Sequence, residues 1–584
     1  LPESHYARGV ERLESFIAQF PEWRRLIPSD LNSYGGRFTA GWEFPGLCDD
    51  PAVHLRILVD AEFPFRSPRI AVFPPPAVLT RPNLEEQGIL CLLVEGALTS
   101  TERIESVSME LLADARDLVN GWHSGASLER FEDEFQSYWN RWQRNTEKFI
   151  SLCAIDGPSR WVCAFHERNF TIVADDEKTL KSWVSNYFTP NSKATLQSIP
   201  LIRVPRPLRP SEYPNSVSDL YALLRSDTDA LSMLQNLVCV NRDKRKGLLL
   251  AFPGRRGHGF AGLMLPSAKK EIDYGFRKGH MSQHILLQRY GVYPVRGASV
   301  IRCDPSWVHG RDHNPDVTIL GNKTVLLLGV GSLGSGVAEL LAKMGIGKLV
   351  LVDPEALSTE NTSRHTLGVR SMSRMKAAEQ ANILSKRFPH LQFESHCERW
   401  ELCYKKDRSI FTSADLIIST IGSWSAESSL SALTYNSKEF PPVIFGWLEE
   451  QAAAAHAVAF FGEEGCLRCI TDDMGRPRVP VTKWPGVGTQ KMVPMCGGVF
   501  QPYGANELSY SQTLVADLVA DILLGRVTSS AHQVWIGQKK LLERENGEWH
   551  PDWIVRHGSP ENGGRMMIVP FKNDVSCPIC GRPL

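Results

Sequence analysis

The chain lacks an excess of charge of either sign: 65 basic side chains stand against 65 acidic ones. With no polycationic surface, nothing electrostatic favours a polyanion, and nucleic acid is not expected as a partner. Long apolar runs are scarce as well. The longest, around Val325 to Ala342, is interrupted by four glycines and by Glu339, so it reads as strand, loop and helix, and no membrane partner is expected. The first residues, Leu-Pro-Glu-Ser, show no basic segment followed by an apolar core, which makes a cytoplasmic location the expectation. Cysteine is too sparse for a disulfide scaffold, and thirteen is an odd number, so at least one thiol has no partner in the chain. Metal binding and thiol catalysis are the uses left to consider. There is no internal repeat and no low-complexity tail.

What is present is length and a change of pattern. A chain of 584 residues exceeds one compact core and suggests about three or four domains. Residues 1–148 open with an amphipathic helix, with Val10, Leu13, Phe16, Ile17 and Phe20 on one face. Strand-like runs such as Val53 to Val59 and further helical patterns follow, which together imply an α+β domain. Residues 149–300 mix short strands with a proline-rich patch from Pro200 to Pro214, a mixed α/β linker domain in which no motif carries recognisable chemistry. Residues 301–584 alternate strand and helix, as a parallel, doubly wound α/β sheet of Rossmann type does.

In that last region Gly329, Gly331 and Gly334 form G-x-G-x-x-G between the strand Thr324 to Leu328 and a helix, where bare amides can approach phosphates. Asp353 ends the next strand, placed to accept hydrogen bonds from ribose hydroxyls. A tight turn with close helix packing, or a dinucleotide dehydrogenase, would use similar residues. Asn361, Arg364 and Lys376, beyond the carboxylate, add donors suited to a triphosphate. With Asn361-Thr-Ser-Arg364-His365, these motifs resemble the adenylation core shared by ThiF, MoeB and the ubiquitin-activating enzymes. The resemblance implies ATP as substrate, Asp353 on the ribose, and Asn361, Arg364 and Lys376 on the phosphates. It further implies pairing as a homodimer, with Arg311 as an arginine that reaches a phosphate across the dimer. One departure concerns Mg2+: where the family places an Asp for the ion, this chain reads Ile421-Gly422-Ser423. Either another carboxylate serves or the nucleotide itself holds the ion.

Cys466-x-x-Cys469 and Cys577-Pro-Ile-Cys580 can each supply two thiolates to a tetrahedral ion. A redox pair or buried free cysteines are the other readings. The adenylation enzymes staple the end of the chain with such a structural Zn2+. Cys496 lies outside these pairs, beside glycines and just ahead of a helical pattern, where a thiol is accessible and its pKa can be lowered. The family resemblance makes it the first thioester site; a small residue packed in a loop is the plainer reading.

A second thiol stands in Arg81-Pro-Asn83 with Cys91 eight residues after the Asn. The spacing, with Phe63-Pro-Phe-Arg-Ser-Pro68 upstream, resembles the active-site signature of ubiquitin-conjugating enzymes, although Arg81 stands where that family has His. The resemblance implies that Cys91 carries a thioester and that the Asn83 amide stabilises the oxyanion as an amine attacks. A core cysteine between Leu90 and Leu92 would look the same in sequence. A conjugating-like domain fused to an activating-like one resembles the E2–E1 fusion proteins of bacterial CBASS anti-phage systems. That resemblance implies a bacterial cytoplasmic enzyme that adenylates the C-terminal carboxylate of a protein, a cGAS-like nucleotidyltransferase. The acyl group would then pass from Cys496 to Cys91 and on to an amine of a target protein. A ThiF-like enzyme that activates a sulfur carrier, and a non-catalytic nucleotide-binding scaffold, are the competing readings.

Overall fold

The structure, a computed structural model, describes every residue except 1–2, 93–102, 123–127, 144–146, 168, 188–195, 241–243, 269, 278–279, 436, 486–488, 495–498, 572–573, 575 and 582–584. The chain forms two compact units: residues 1–173 with 194–301, and residues 174–193 with 302–584. Among the described residues no helix is long and apolar enough to cross a membrane.

The first unit begins with the amphipathic helix Glu3–Ile17. Its apolar stripe, Val10, Leu13, Phe16 and Ile17, is buried on an antiparallel meander of strands Arg24–Arg25, Ala40–Phe44, His54–Val59 and Arg69–Phe73. The helix Ile104–Gly121 buries Leu111, Leu112, Ala115, Leu118 and Val119 in the same core. On the second strand of this sheet Glu43 is a buried carboxylate. It accepts bonds from Arg56 Nε at 2.6 Å and Arg24 Nε at 2.8 Å, while the Arg56 guanidinium lies 3.6 Å from the Phe73 ring.

The rest of this unit is a closed barrel of seven strands, in the order Gly259–Leu265, Arg296–Arg302, Lys148–Ser151, Phe170–Ala174, Arg160–Glu167, Leu196–Arg203 and Lys246–Phe252. Phe149, Val162, Val173, Ile199, Leu201, Leu249 and Phe260 form one buried cluster on these strands. Helices Val217–Leu224, Thr228–Cys239 and Gln283–Gly291 join a second cluster with the strands Lys246–Phe252 and Gly259–Leu265. Phe131, Phe135, Tyr138 and Trp139, from the short helices Glu129–Asp133 and Phe135–Trp142, are buried in that same cluster.

The second unit is built on an eight-stranded sheet. Its order is Gln392–His396, Lys348–Val352, Thr324–Leu328, Leu416–Ser419, Val443–Leu448, Ala454–Phe460, Ala531–Gln538 and Gly563–Val569. The first five run parallel; the last three run antiparallel, so the sheet is mixed rather than wholly parallel. Helices Ser332–Met344, Lys376–Arg387 and Ala505–Leu523 supply one core cluster, and Trp400, Phe411 and Leu430 the other. The order reverses at Thr324–Leu328: both of its neighbours, Lys348–Val352 on one side and Leu416–Ser419 on the other, follow it in the chain. At such a switch point two neighbouring strand-to-helix loops diverge and open a crevice.

Removing one partner of a buried, hydrogen-bonded pair leaves an uncompensated charge. Glu43→Ala is expected to destabilise the first unit by about 3–5 kcal/mol, read by denaturant unfolding at pH 7. Burial raises the Glu43 carboxyl, but bonds from Arg24 and Arg56 bring it below its usual value. Its contribution is therefore complete at neutral pH and is lost only on acidification through that lowered value.

Candidate active sites

The crevice at the switch point is lined by the glycine loop. Gly329 has φ 86°, and a Cβ there would lie 2.8 Å from the Thr420 carbonyl and the Ile421 nitrogen; at Gly334 it would lie 2.0 Å from the Gly329 oxygen. Only glycine lets the two loops close up in this way. Gly331, by contrast, faces open space, and as N-cap of the helix Ser332–Met344 it provides no side chain for the first amides. Those amides remain available to an anion.

Asp353 follows the strand Lys348–Val352 and is buried. Its Oδ2 accepts the Val330 amide at 2.7 Å and its Oδ1 the Glu355 amide at 2.8 Å. Burial pushes this carboxyl up, against the pull of those bonds and of Lys376. His365 bonds the Val330 carbonyl through Nε2 at 2.7 Å and accepts the Leu367 amide at Nδ1, so its proton sits on Nε2; burial lowers its pKa and keeps it neutral. Thr420 Oγ1 donates to the Gly329 carbonyl at 2.8 Å. The loops after three adjacent strands are thus tied together.

Around this knot, Lys376 is buried and its ammonium meets Glu355 at 2.6 Å. The Asn361 carbonyl oxygen takes the Ser358 hydroxyl at 2.9 Å. The Arg364 guanidinium lies over the Tyr503 ring, 4.4 Å from its centroid, and donates to the Gln501 carbonyl at 3.3 Å. Arg311 is not among the residues bonded to this group; its guanidinium binds the carbonyls of Trp307 and Val308 on its own helix. Cys496 lies outside the described residues, although Lys491–Met492 and Val499–Phe500 pair on either side of it.

The other thiol sits on the first unit. Asn83 adopts φ 55°, a left-handed conformation that Asn tolerates better than most side chains, and its carbonyl accepts the Cys91 amide at 2.9 Å. Gly88 holds φ 83°, and a Cβ there would strike the Val72 carbonyl at 2.3 Å. The segment between therefore folds back tightly enough for Leu90 to bond Ile70 of the meander. Leu90 is buried but Cys91 is only half-buried, and the Asn83 Nδ2 lies 3.4 Å from its carbonyl oxygen. Burial raises the Cys91 thiol, the charges of Glu134 and Glu85 raise it further, and Arg69 and Arg141 oppose them. Arg81, in the histidine position, lies 6.0 Å from the Trp122 ring.

Comparison with known proteins bears on both sites. Residues 34–147 match the prokaryotic E2 family B, and residues 313–534 match the ThiF family. Over 549 residues the chain is 24% identical to the ATP-dependent ubiquitin transferase-like protein Cap2 of Pseudomonas aeruginosa, covering 86% of this chain and 94% of that protein. It is a Cap2 homologue, with an E2 domain ahead of a ThiF domain. The Cap2 of Enterobacter hormaechei is 30% identical over 130 residues, 22% of each chain. Ubiquitin-like modifier-activating enzyme 5 of Dictyostelium discoideum is 36% identical over 75 residues, 13% of this chain and 20% of its own. Among solved structures, Escherichia coli MccB aligns over 72% of this chain and 98% of its own at 13% identity, with a TM-score of 0.31.

The Cap2 homologue also gathers four cysteines. Cys466, Cys469, Cys577 and Cys580 place their sulfurs within 4.8 Å of one another, with Cys466 at 3.5 Å from Cys577 and 4.0 Å from Cys469, and Cys469 at 3.0 Å from Cys580. A Zn–S length of about 2.3 Å in a tetrahedron demands sulfur separations of about 3.8 Å, so the donor set fits zinc. Tyr435 donates to the Cys580 carbonyl, and Ile470 and Phe571 pack round the cluster, so the Cys577–Cys580 segment is fastened to the helix Trp424–Tyr435.

Two residues were not anticipated. Glu355 holds Lys376, and nothing in its spacing marked it. Glu427, the carboxylate behind Ile421-Gly422-Ser423, accepts the Ser419 hydroxyl at 2.9 Å and is buried enough to push its pKa up to about 7. A buried acid that follows a strand without the expected Asp was the available signal.

Two outcomes follow from these geometries. Because its pKa is raised, Cys91 carries little thiolate at neutral pH, so its alkylation by iodoacetamide, read by peptide mass spectrometry, is expected to rise in proportion to hydroxide between pH 7 and pH 8.5. Purified chain is expected to hold one zinc per molecule by elemental analysis. Cys577→Ser is expected to lose the metal and to lower the melting temperature of the second unit.

Proposed function

We propose that this Cap2 homologue is an ATP-dependent protein ligase that runs adenylation and thioester transfer on one chain. The observation that supports the reading most is the knot of Gly329, Val330, Asp353 and His365 at the sheet's switch point, in a chain that also carries the Asn83–Cys91 pairing. In the first step a protein's C-terminal carboxylate oxygen attacks the α-phosphorus of ATP and pyrophosphate leaves. Amides beginning at Gly331 face the phosphates, Asp353 has lone pairs left for the ribose hydroxyls, and Asn361, Arg364 and Lys376 neutralise phosphate charge, Lys376 exchanging Glu355 for a phosphate oxygen. Arg311 contributes from the second copy of a homodimer.

The Cys496 sulfur then attacks the acyl carbon and AMP leaves. The Cys91 sulfur displaces Cys496, and an amine nitrogen of the target displaces Cys91, losing a proton as the amide forms. Each intermediate keeps the acyl group activated, which direct amide formation in water does not. The Asn83 amide stabilises the oxyanion of the last step. By likeness to the CBASS fusions, the carried protein is a cGAS-like nucleotidyltransferase and the setting is anti-phage defence in the bacterial cytoplasm. Zinc on the four cysteines is structural. Residues 421–423 offer magnesium no carboxylate, so an ion that accompanies ATP takes its ligands from the phosphates or from a carboxylate elsewhere.

Intact-mass analysis with ATP and a cGAS-like nucleotidyltransferase tests the relay. Thiol-reversible adducts are expected on wild type, none on Cys496→Ala, and an adduct confined to Cys496 on Cys91→Ala. Adenylation of the carrier without any thioester would contradict it.

A further inference from the structure

The loop that carries Asn83 lacks the histidine found in the conjugating enzymes it resembles, and its support comes from elsewhere in the unit. Arg130, on the short helix Glu129–Asp133, Tyr138, on Phe135–Trp142, and Glu134, at the break between them, all bond Asn83. Glu134 lies between the two short helices at φ −115° and ψ 24°, outside helical geometry. Its Oε1 accepts the Asn83 Nδ2 at 3.1 Å, and its Oε2 accepts the Tyr138 hydroxyl at 3.2 Å. The same Tyr138 oxygen accepts the Asn83 backbone amide at 2.7 Å, and Arg130 donates to the Asn83 Oδ1 at 3.3 Å. Arg141, one turn on, donates to the Leu84 carbonyl at 2.7 Å.

Tyr138 is only 2% exposed, and its ring packs on Phe131 within the cluster that joins these helices to the barrel. The loop therefore hangs on the barrel's core as well as on its own meander. A left-handed residue persists where its surroundings over-determine it, and Asn83 is bonded at its amide, its carbonyl and both side-chain heteroatoms.

We propose that Glu134 and Tyr138 are positioning residues for amine transfer at Cys91. Glu134 takes one hydrogen of the Asn83 Nδ2, which leaves the other directed toward Cys91, where the present 3.4 Å contact to the Cys91 carbonyl is long enough to be given up to an oxyanion. Tyr138 holds both Glu134 and the Asn83 backbone, so the amide is oriented before the acyl group arrives. A cleft of about 410 Å3 bordered by Asn83, Glu134 and Arg256 lies beside this clamp. The proposal rests on Asn83 and Cys91 forming the transfer site, as set out above.

The test uses the full chain without ATP or a carrier protein. Cysteines are acylated by a small acetylglycyl thioester, free lysine is added, and loss of the acyl group from the Cys91 peptide is followed by mass spectrometry. Asn83→Ala is expected to slow this loss by about tenfold or more. Glu134→Ala and Tyr138→Phe are expected to slow it by about three- to tenfold, while Glu134→Gln, which keeps an oxygen for the Asn83 amide, stays near wild type. In the Asn83→Ala background neither Glu134→Ala nor Tyr138→Phe should slow it further.

Wild-type rates in both Glu134→Ala and Tyr138→Phe would overturn the proposal. So would an equal loss in the Asn83→Ala background, or a Glu134→Gln rate as low as that of Glu134→Ala, which would make the charge and not the bond the source of the effect. Because acylation bypasses ATP and Cys496, failure of the relay and failure of this clamp give different results: the first leaves lysine discharge from Cys91 intact.

Discussion

Two hydrogen bonds to Asp353, from the amides of Val330 and Glu355, fix the glycine loop against the end of the neighbouring strand. His365 closes the arrangement from the other side of Val330, and Thr420 ties Gly329 to the loop across the switch point. The burial of Asp353 would be costly without these bonds. With them, a carboxylate, a neutral imidazole and a set of helix-start amides are held in one crevice before any nucleotide enters. Lys376 reaches the crevice through Glu355, and Arg364 connects it to the segment Phe500–Tyr503 that follows Cys496 in sequence.

The first unit meets the same need, a pre-set geometry at a polar loop, by other means. A left-handed Asn83 and a glycine that no side chain could replace fold the Arg-Pro-Asn segment back to Cys91. A half-buried thiol with a raised pKa is poorly suited to reacting with stray oxidants at neutral pH, and it is suited to carrying an acyl group handed to it. At both sites side chains from distant parts of the chain hydrogen-bond the loop backbone: Asp353, His365 and Thr420 at the glycine loop, Tyr138 and Arg141 at the Asn83 loop.

Much of this was legible in the sequence because its signals are local. The strand, the three glycines and Asp353 obey short fixed spacings, and the first domain's opening helix and its strand-like run from Val53 to Val59 show in the sequence, although the pairing of its strands into a meander does not. The cysteine pairs are separated by more than a hundred residues, but each pair announces itself. The barrel was not legible: its strands close on each other across the whole of residues 148 to 302, and buried strands show no alternation to read. The three antiparallel strands were hidden for a related reason, since Ala454–Phe460 is buried on both faces and, beyond the adjacent Val443–Leu448, its second partner lies far along the chain. The contacts of Asn83 with Glu134 and Tyr138 join residues more than fifty positions apart, and no spacing rule links an Asx loop to a tyrosine on a distant helix. Glu427 carries no spacing signal of its own, because the acid lies behind the Gly422 loop, on the next helix, and not beside it in sequence.

The central claim is that the crevice at the switch point adenylates a protein's C-terminus. Exchange of labelled pyrophosphate into ATP measures this directly, with a cGAS-like nucleotidyltransferase as carrier and the same protein lacking its last residue as control. The account predicts exchange that needs the intact C-terminus, disappears in Asp353→Ala, and persists in Cys91→Ala and Cys496→Ala. Exchange that survives Asp353→Ala, or that proceeds equally with the truncated carrier, would contradict it.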